Sequence, residues 1–136
     1  MRFMILVKAN ADTEAGILPD DALFAEMAAY HEELAKAGAL LDASGLQPSS
    51  AGWRICYADG KRTVVDGPFT ECRELIAGYT VIQARSREEA LEWTRRFPAP
   101  MGQGVTAEIE VRPLYDVDDL AAGRPSAARL RALDLQ

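Results

Sequence analysis

Two stretches of the chain are apolar at both odd and even positions. They cover residues 3–7 and 75–84, and this pattern is typical of strands that are buried on both faces. We therefore expect both to be central strands of a sheet. Residues 105–111 instead alternate strictly between apolar and polar side chains, which predicts a strand with one buried and one solvated face.

Two segments show the three- and four-residue apolar spacing of amphipathic helices. The first begins at about Pro19, has aspartates in its first turn, and ends before Gly38, in agreement with common helix start and stop signals. The second begins at Ser86, which forms a capping box with Glu89, and ends before Pro98. The buried stripe predicted for the first helix consists of Phe24, Met27, His31 and Leu34, flanked by Leu23 and Tyr30.

The middle of the chain predicts a β-hairpin. Two β-prone runs, at 53–57 and 62–65, are separated by a segment with Asp-Gly at 59–60, which is a strong hairpin signal. Residues 39–46 form one further predicted strand, and residues 10–19 are expected to be a polar loop.

This order of elements predicts an α+β fold, a ferredoxin-like βαββαβ layout that carries an inserted hairpin. Two helices cover only one face of the sheet, whereas the two central strands require cover on both faces. A second copy that packs sheet against sheet in a twofold homodimer would supply it. The tail beyond Pro113 is the alternative cover.

Composition and charge argue against several classes of partner. The chain has 15 Lys and Arg against 21 Asp and Glu, a net charge of -6, and no basic run, so neither nucleic acid nor an anionic membrane surface is expected. No window approaches the roughly 20 apolar residues of a membrane span, and the first residues do not resemble a signal peptide. A cytoplasmic location follows as an expectation.

Cys56 and Cys72 have no C-x-x-C spacing, so we expect reduced thiols, with no metal site and no cofactor.

The segment at 66–69, Asp-Gly-Pro-Phe, predicts a sharp corner after the hairpin. Together with residues 70–74 it resembles the signature of the DGPF family, within the YCII-related proteins. Further likenesses lie in residues 30–38, 45–48, 60–61, 75–79 and 89–93, and the match extends to about residue 115. The resemblance therefore implies a YCII-related ferredoxin-like domain over 1–115 and a separate tail over 116–136, in which we expect a short helix at 126–133.

The resemblance implies a dimeric α+β barrel of ferredoxin-like protomers and no settled activity. Short YCII proteins are suspected of acid–base chemistry because a His and an Asp meet in a cleft, although their helix histidine aligns nearer Met27 than His31. DGPF proteins are often encoded beside alternative sigma factors, which implies a regulatory or sensing role.

His31 and Asp66 are the candidate catalytic pair, since an imidazole and a carboxylate together can move a proton. Two structural roles are the alternatives: a core histidine bonded to a backbone carbonyl, and an aspartate that accepts the amide hydrogens of the turn at 67–69 or caps the short turn after it. The candidate substrate-binding residues are Arg54, Glu71, Arg73 and Tyr79. Strand packing or simple solvent exposure is the alternative for these four.

The sequence thus favours a cytoplasmic, homodimeric small-molecule-binding protein with a candidate His/Asp acid–base site, and leaves open whether it is an enzyme. The alternative is a non-catalytic regulatory or interaction module linked to sigma-factor-associated transcription control. A purely structural role is the third hypothesis.

Overall fold

The computed structural model describes residues 1–133, apart from the side chain of Arg73. The strands are β1 (Arg2–Lys8), β2 (Leu40–Gly45), β3 (Trp53–Ala58), β4 (Lys61–Asp66), β5 (Ile76–Gln83) and β6 (Ile109–Pro113). The α-helices are α1 (Ala11–Glu14), α2 (Asp21–Lys36), α3 (Arg87–Arg95) and α4 (Val117–Ala121). Short 3₁₀ segments cover Ser49–Ala51, Cys72–Glu74 and Pro125–Leu133.

Four strands form the main sheet in the order β2-β5-β1-β6, and every neighbouring pair is antiparallel. Apart from the hairpin β3–β4, this order and the two intervening helices α2 and α3 make a ferredoxin-like βαββαβ fold. The predicted α+β class is therefore confirmed. So is the prediction from the apolar pattern that β1 and β5 are the central strands.

The two faces of the sheet differ in burial. Phe3 and Ile5 of β1 and Ile82 of β5 are almost completely buried, and they pack with Tyr30 and Leu34 of α2. The opposite face is only half-buried. At its centre Met4 pairs with Val81 and Leu6 with Tyr79, and we call these four residues the open sheet face.

The buried stripe of α2 is rotated by about one residue from the predicted one. Leu23 is buried whereas Phe24 is 51% exposed, and His31 and Met27 are half-buried at the side of the helix. The prediction that Phe24 lies in the core was therefore wrong. Positions 23, 27, 30 and 34 have the same three- and four-residue spacing as the predicted set, so periodicity alone allowed either stripe.

Strand β6 begins at Ile109 and not at Val105 as predicted. The last pair with β1 joins Val7 to Ile109, and the Lys8 amide then donates to the Glu108 carbonyl. Because β1 ends at Lys8, residues 105–107 have no strand beside them to pair with, and Val105 is half exposed. Alternation of side chains indicates which faces they would take, but a strand also needs a neighbour.

Helix α1 lies in the segment predicted to be a loop. Asn10 caps it by accepting from the Thr13 amide at 2.9 Å, while the Thr13 hydroxyl accepts from the Asn10 amide at 2.9 Å. This reciprocal cap was visible in the sequence as Asn followed three residues later by Thr, but the helix is too short to show an apolar period.

The hairpin forms as predicted and stands apart from the main sheet. Asp59 and Gly60 have φ values of 52° and 72°, the backbone of a tight hairpin turn. Cross-strand pairing places one set of side chains on the same face, consisting of Trp53, Ile55, Tyr57, Arg62, Val64 and Asp66. Its four apolar members are 45–68% exposed. We call Trp53, Ile55, Tyr57 and Val64 the apolar hairpin face.

The tail folds partly as predicted. The helix expected at 126–133 is a 3₁₀ segment, and α4 precedes it. The Arg131 guanidinium pairs with the Asp118 carboxylate, which joins the two. The last residues of the tail, 134–136, lie outside the described part of the chain.

Tyr30 ties α2 to α3, because its hydroxyl donates to the Trp93 carbonyl at 2.7 Å. Burial raises the pKa of Tyr30 to about 12, with Arg96 opposing the rise and Glu33 adding to it. The pKa in the fold lies above the ordinary value of 10.0. The stability due to the neutral phenol is therefore complete below pH 10 and is lost as the pH rises towards 12.

We expect Tyr30→Phe to lower the free energy of unfolding by about 1 kcal/mol at pH 8, since it removes this buried hydrogen bond. Between pH 10 and pH 11 the difference from the wild type should shrink, because phenylalanine has no proton to lose. Urea unfolding at the three pH values measures this, with the exposed Tyr57→Phe as control. If the difference in free energy of unfolding between the wild type and Tyr30→Phe grew with pH, the stabilising role of the neutral Tyr30 phenol would be contradicted.

Candidate functional site

A cavity of about 970 Å³ lies between α2, the strands β2 and β5, and the loops at residues 16–20 and 100–105. Its volume is in the range of small-molecule sites. Apolar side chains form much of the wall, among them Leu23, Phe24, Met27, Leu46, Phe97 and Met101. The exposure of Phe24, unexpected for a core position, is explained by its place in this wall.

His31 of α2 and Thr80 of β5 form the polar pair of the cavity, and both line it. The imidazole Nε2 lies 2.9 Å from the Thr80 Oγ1, and Nδ1 lies 2.7 Å from the Met27 carbonyl oxygen one helical turn earlier. Because α2 packs across β5, the residue next to the buried stripe is brought directly over the strand. Thr80 is 2% exposed.

These two contacts fix the tautomer of the neutral imidazole. A carbonyl oxygen only accepts, so Nδ1 carries the hydrogen and donates it to Met27, and Nε2 accepts from the Thr80 hydroxyl. A base oriented by one partner and bonded to a hydroxyl at its other nitrogen has the geometry used to activate a hydroxyl or to relay a proton. The predicted alternative for His31, a bond to a backbone carbonyl, is confirmed, and it coexists with a place in the cavity.

The structure does not bring His31 and Asp66 together within the described chain. Both ring nitrogens of His31 have other partners, and Asp66 is not among the residues that line the cavity. Asp66 lies at the end of β4, where it pairs with Trp53 and is exposed. The predicted direct His31–Asp66 pair is therefore not formed within the described chain.

The corner that follows Asp66 is a packing device. The Gly67 amide donates to the Gly52 carbonyl at 3.0 Å and the Phe69 amide donates to the Ser49 Oγ at 2.9 Å. The predicted alternative role of Asp66, as acceptor of these amides, is therefore wrong. A Cβ on Gly67 would lie 1.8 Å from the Ser49 carbonyl oxygen, so only glycine fits.

Ser49 also connects this corner to the cavity. Its amide donates to a carboxylate oxygen of Glu14 at 2.9 Å, and its hydroxyl donates to the other oxygen. Glu14 belongs to α1, whose residues Asp12 and Thr13 line the cavity. The DGPF corner therefore supports the cavity wall through Ser49 and Glu14, although it contributes no side chain to the wall.

The four predicted substrate-binding residues are scattered. Arg54 stacks over the Phe69 ring, with its guanidinium carbon 3.7 Å from the ring centre, and it lines a second, shallower pocket of about 560 Å³. Glu71 is exposed. The side chain of Arg73 lies outside the described residues.

Tyr79 is among the residues that line the cavity, but its hydroxyl belongs to the open sheet face. It follows the opposite parity from Thr80, so the two side chains lie on opposite faces. Its Oη donates to the Asp42 carboxylate at 3.2 Å, and this bond raises the pKa of Tyr79. On the same face, the Lys8 ammonium 3.3 Å from Glu110, together with Arg112, lowers the pKa of the Glu110 carboxyl.

Sequence reasoning missed Thr80, Ser49 and Glu14. Thr80 had a detectable signal, because it is the one serine or threonine in the mostly apolar stretch 75–84 and a buried hydroxyl needs a partner. Ser49 and Glu14 had none, since their contact joins positions 35 residues apart.

Neither a metal cluster nor a membrane helix is found in the described chain. Within residues 1–133, no group of three or more His, Cys, Asp or Glu side chains is placed to hold a metal ion. Over the same residues, no helix combines the length and the apolar character that crossing a bilayer would require. Cys56 and Cys72 are free thiols.

The fold and the cavity define a ferredoxin-like α+β domain with one polar pair between helix and sheet. The chain belongs to the YCII-related family, whose domain model matches residues 1–115. It is similar to an uncharacterized protein of Rhizobium meliloti (strain 1021), with 30% identity over 95 residues, which cover 70% of this chain and 75% of that protein.

Among solved structures, the chain is similar to 5-chloro-2-hydroxyhydroquinone dehydrochlorinase from Burkholderia phenoliruptrix AC1100, determined in complex with 2,5-dihydroxybenzoquinone. The identity is 15%, the TM-score is 0.43, and the match covers 85% of this chain and 94% of that one.

Proposed function

We propose that this protein is a cytoplasmic, homodimeric binding protein for a small organic molecule, with His31 as an acid–base group in the cavity. The observation that carries the proposal is the His31–Thr80 pair at the wall of a cavity of about 970 Å³. A cavity with a largely apolar wall binds a ligand by burial of apolar surface, and the polar groups of the wall orient that ligand. Free cysteines support the cytoplasmic location.

The proton step rests on the fixed tautomer of His31. Its Nε2 has one lone pair, and the Thr80 hydroxyl donates to it. A proton of the bound molecule therefore reaches Nε2 either by displacing this hydroxyl or by passing through it. In both cases the Met27 carbonyl stabilises the imidazolium that forms, because it keeps its hydrogen bond from Nδ1–H.

The homodimer is supported by the open sheet face. Its central residues Met4, Leu6 and Val81 are apolar and half-buried, whereas the other face of the same strands is covered by helices. A second copy that packs on it would remove this surface from water. A monomer mass in sedimentation equilibrium at micromolar concentration would contradict this part of the proposal.

The acid–base role is tested with 2-tetralone, a neutral apolar ketone whose carbon acid exchanges with deuterium in D₂O. His31 Nε2 would take the proton next to the carbonyl, the electron pair would form the enolate, and a deuteron would return. We expect the wild type to accelerate exchange, measured by NMR, by at least roughly a hundredfold over His31→Ala, the size typical of a positioned base.

Two further variants separate the roles. Asp66→Asn should exchange at the wild-type rate, since Asp66 lies outside the cavity wall. Thr80→Val should slow exchange if the hydroxyl relays the proton and leave it unchanged if Nε2 acts directly. Binding of 2-tetralone in the cavity without exchange would contradict the acid–base role and leave the binding role.

The second candidate is a non-catalytic interaction module, in the regulatory setting of sigma-factor-associated transcription control. It is favoured by the apolar hairpin face, where Trp53, Tyr57 and Val64 are each 64% exposed or more. Such a patch on a small protein often marks a protein contact. A partner complex that survives His31→Ala but is lost on Trp53→Ser with Tyr57→Ser would support this candidate.

A further inference from the structure

We infer that the cavity selects its ligand by charge, taking neutral or positively charged apolar molecules and excluding carboxylates and phosphates. This inference rests on the proposed function, because it concerns the ligand of the same cavity. It arises from the charges of the wall, from the hydrogen bonds that its polar groups already make, and from the cost of burying an unpaired anion.

Among its described residues, the wall contains carboxylates and no lysine or arginine. Among the described residues that line the cavity, the charged ones are Asp12 and Asp20, and His31 is the one further titratable group besides Tyr79. The hydroxyl of Tyr79 is bonded to Asp42 on the open sheet face. An anionic ligand would therefore meet negative charge at the loops and no ammonium or guanidinium partner.

The helix ends at the cavity do not supply an anion site. Asp20 caps α2 with its own carboxylate, which accepts from the Leu23 amide at 2.9 Å. Asn10 caps α1 in the same way through the Thr13 amide. The partial positive charge of the α2 N-terminus is thus already neutralised by a residue of the chain.

The polar pair is likewise engaged. The Nδ1 hydrogen of the neutral imidazole is donated to Met27 and the hydroxyl hydrogen of Thr80 is donated to His31. A buried carboxylate needs a cation or several hydrogen-bond donors to offset its lost hydration. Among the described residues of this wall there is no lysine or arginine, and the side-chain amides of Asn10 and Gln47 are neutral donors only. A neutral molecule avoids that cost.

A cation has favourable partners in the same wall. Asp12 and Asp20 attract it directly, and the rings of Phe24 and Phe97 also line the cavity, where an aromatic face can stabilise an ammonium group. The expected ligand is therefore an apolar body with one polar group that is either an alcohol or carbonyl facing His31, or an amine facing the aspartates.

The test compares three probes of the same shape, which are 2-naphthylmethanol, 2-naphthylmethylamine and 2-naphthoate. Each is titrated into the full chain at pH 7.5 and followed by amide NMR shifts of residues in α2 and β5. We expect the alcohol and the amine to bind in the cavity, and 2-naphthoate to bind at least about tenfold more weakly, since it lacks an ion partner.

Equal or tighter binding of 2-naphthoate would overturn the charge inference and leave the proposed function intact. If none of the three probes shifts the cavity residues, the proposed function fails and the inference fails with it. The two failures are therefore distinguishable by whether the neutral alcohol binds.

Variants of the wall test the origin of the preference. Asp12→Asn with Asp20→Asn removes both charges, and asparagine at position 20 still caps the helix. We expect the amine to lose roughly threefold to tenfold in affinity relative to the alcohol, as for two partly screened charges. The control, Glu26→Gln with Glu32→Gln, makes the same charge change at exposed positions of α2 outside the wall.

The control should leave the amine-to-alcohol affinity ratio unchanged. An equal change in both double variants would show that the net charge of the chain sets the preference, and would overturn the assignment to Asp12 and Asp20. An unchanged amine-to-alcohol affinity ratio in both double variants would also overturn the assignment to Asp12 and Asp20.

Discussion

Replacing Gly67 with alanine is expected to lower the free energy of unfolding by about 3 kcal/mol. The added methyl group would lie 1.8 Å from the Ser49 carbonyl oxygen and 2.6 Å from the carbonyl carbon, so the backbone of one segment must move. Such overpacking typically costs 1–3 kcal/mol, and here the shift also strains the Ser49 contacts with Phe69 and Glu14. Urea unfolding followed by fluorescence measures the loss.

Two other glycines of the chain provide graded controls. A Cβ on Gly78 would lie 3.1 Å from the Ser44 carbonyl oxygen, and one on Gly45 would meet nothing within 4 Å. We therefore expect Gly67→Ala to be the most damaging, Gly78→Ala intermediate and Gly45→Ala nearly neutral. If Gly67→Ala were as mild as Gly45→Ala, the close approach at the DGPF corner would be wrong.

Leu34→Ala is expected to cost about 3–5 kcal/mol, the range for deleting a fully buried leucine side chain. Leu34 is 0% exposed and packs in the core with Ile5 and Ile82. Because α2 carries His31 over Thr80, we also expect the variant to loosen the polar pair. Thermal or urea unfolding gives the first effect, and the NMR signals of the imidazole give the second.

Phe24→Ala is the matched control on the same helix. The apolar spacing placed Phe24 and Leu34 on one buried stripe, but in the structure Phe24 is 51% exposed in the cavity wall. We expect its loss to cost about 1 kcal/mol or less in stability, as for a surface site, while weakening ligand binding. Equal destabilisation by the two substitutions would favour the stripe predicted from the sequence.

The parity of apolar positions was sufficient to predict the sheet. Residues 3–7 and 75–84 are apolar at both odd and even positions, and in the structure they form the central strands β1 and β5. The Asp-Gly turn likewise located the hairpin. These signals are local, because strand burial and turn geometry are determined by neighbouring residues.

The candidate site was only half predictable. His31 was identified because it is the single histidine and lies on the apolar stripe predicted for the first helix. Asp66 was chosen because it belongs to a distinctive sequence motif. Such a motif can also have a purely structural cause, and here the cause is that only glycine fits beside the Ser49 carbonyl oxygen at position 67. Thr80 contacts His31, and Ser49 contacts Glu14, each far away in the sequence. The packing that brings these partners together cannot be read from a local sequence pattern.

The position of the hairpin has a consequence for how this lineage can diverge. It is inserted between β2 and β5, which pair directly with each other in the main sheet, whereas β3 and β4 form a separate two-stranded sheet. We therefore expect that its length and composition change during evolution without altering the register of the four-stranded sheet. Descendants of one ancestral protomer could acquire different recognition surfaces here while the cavity over Thr80 is inherited unchanged.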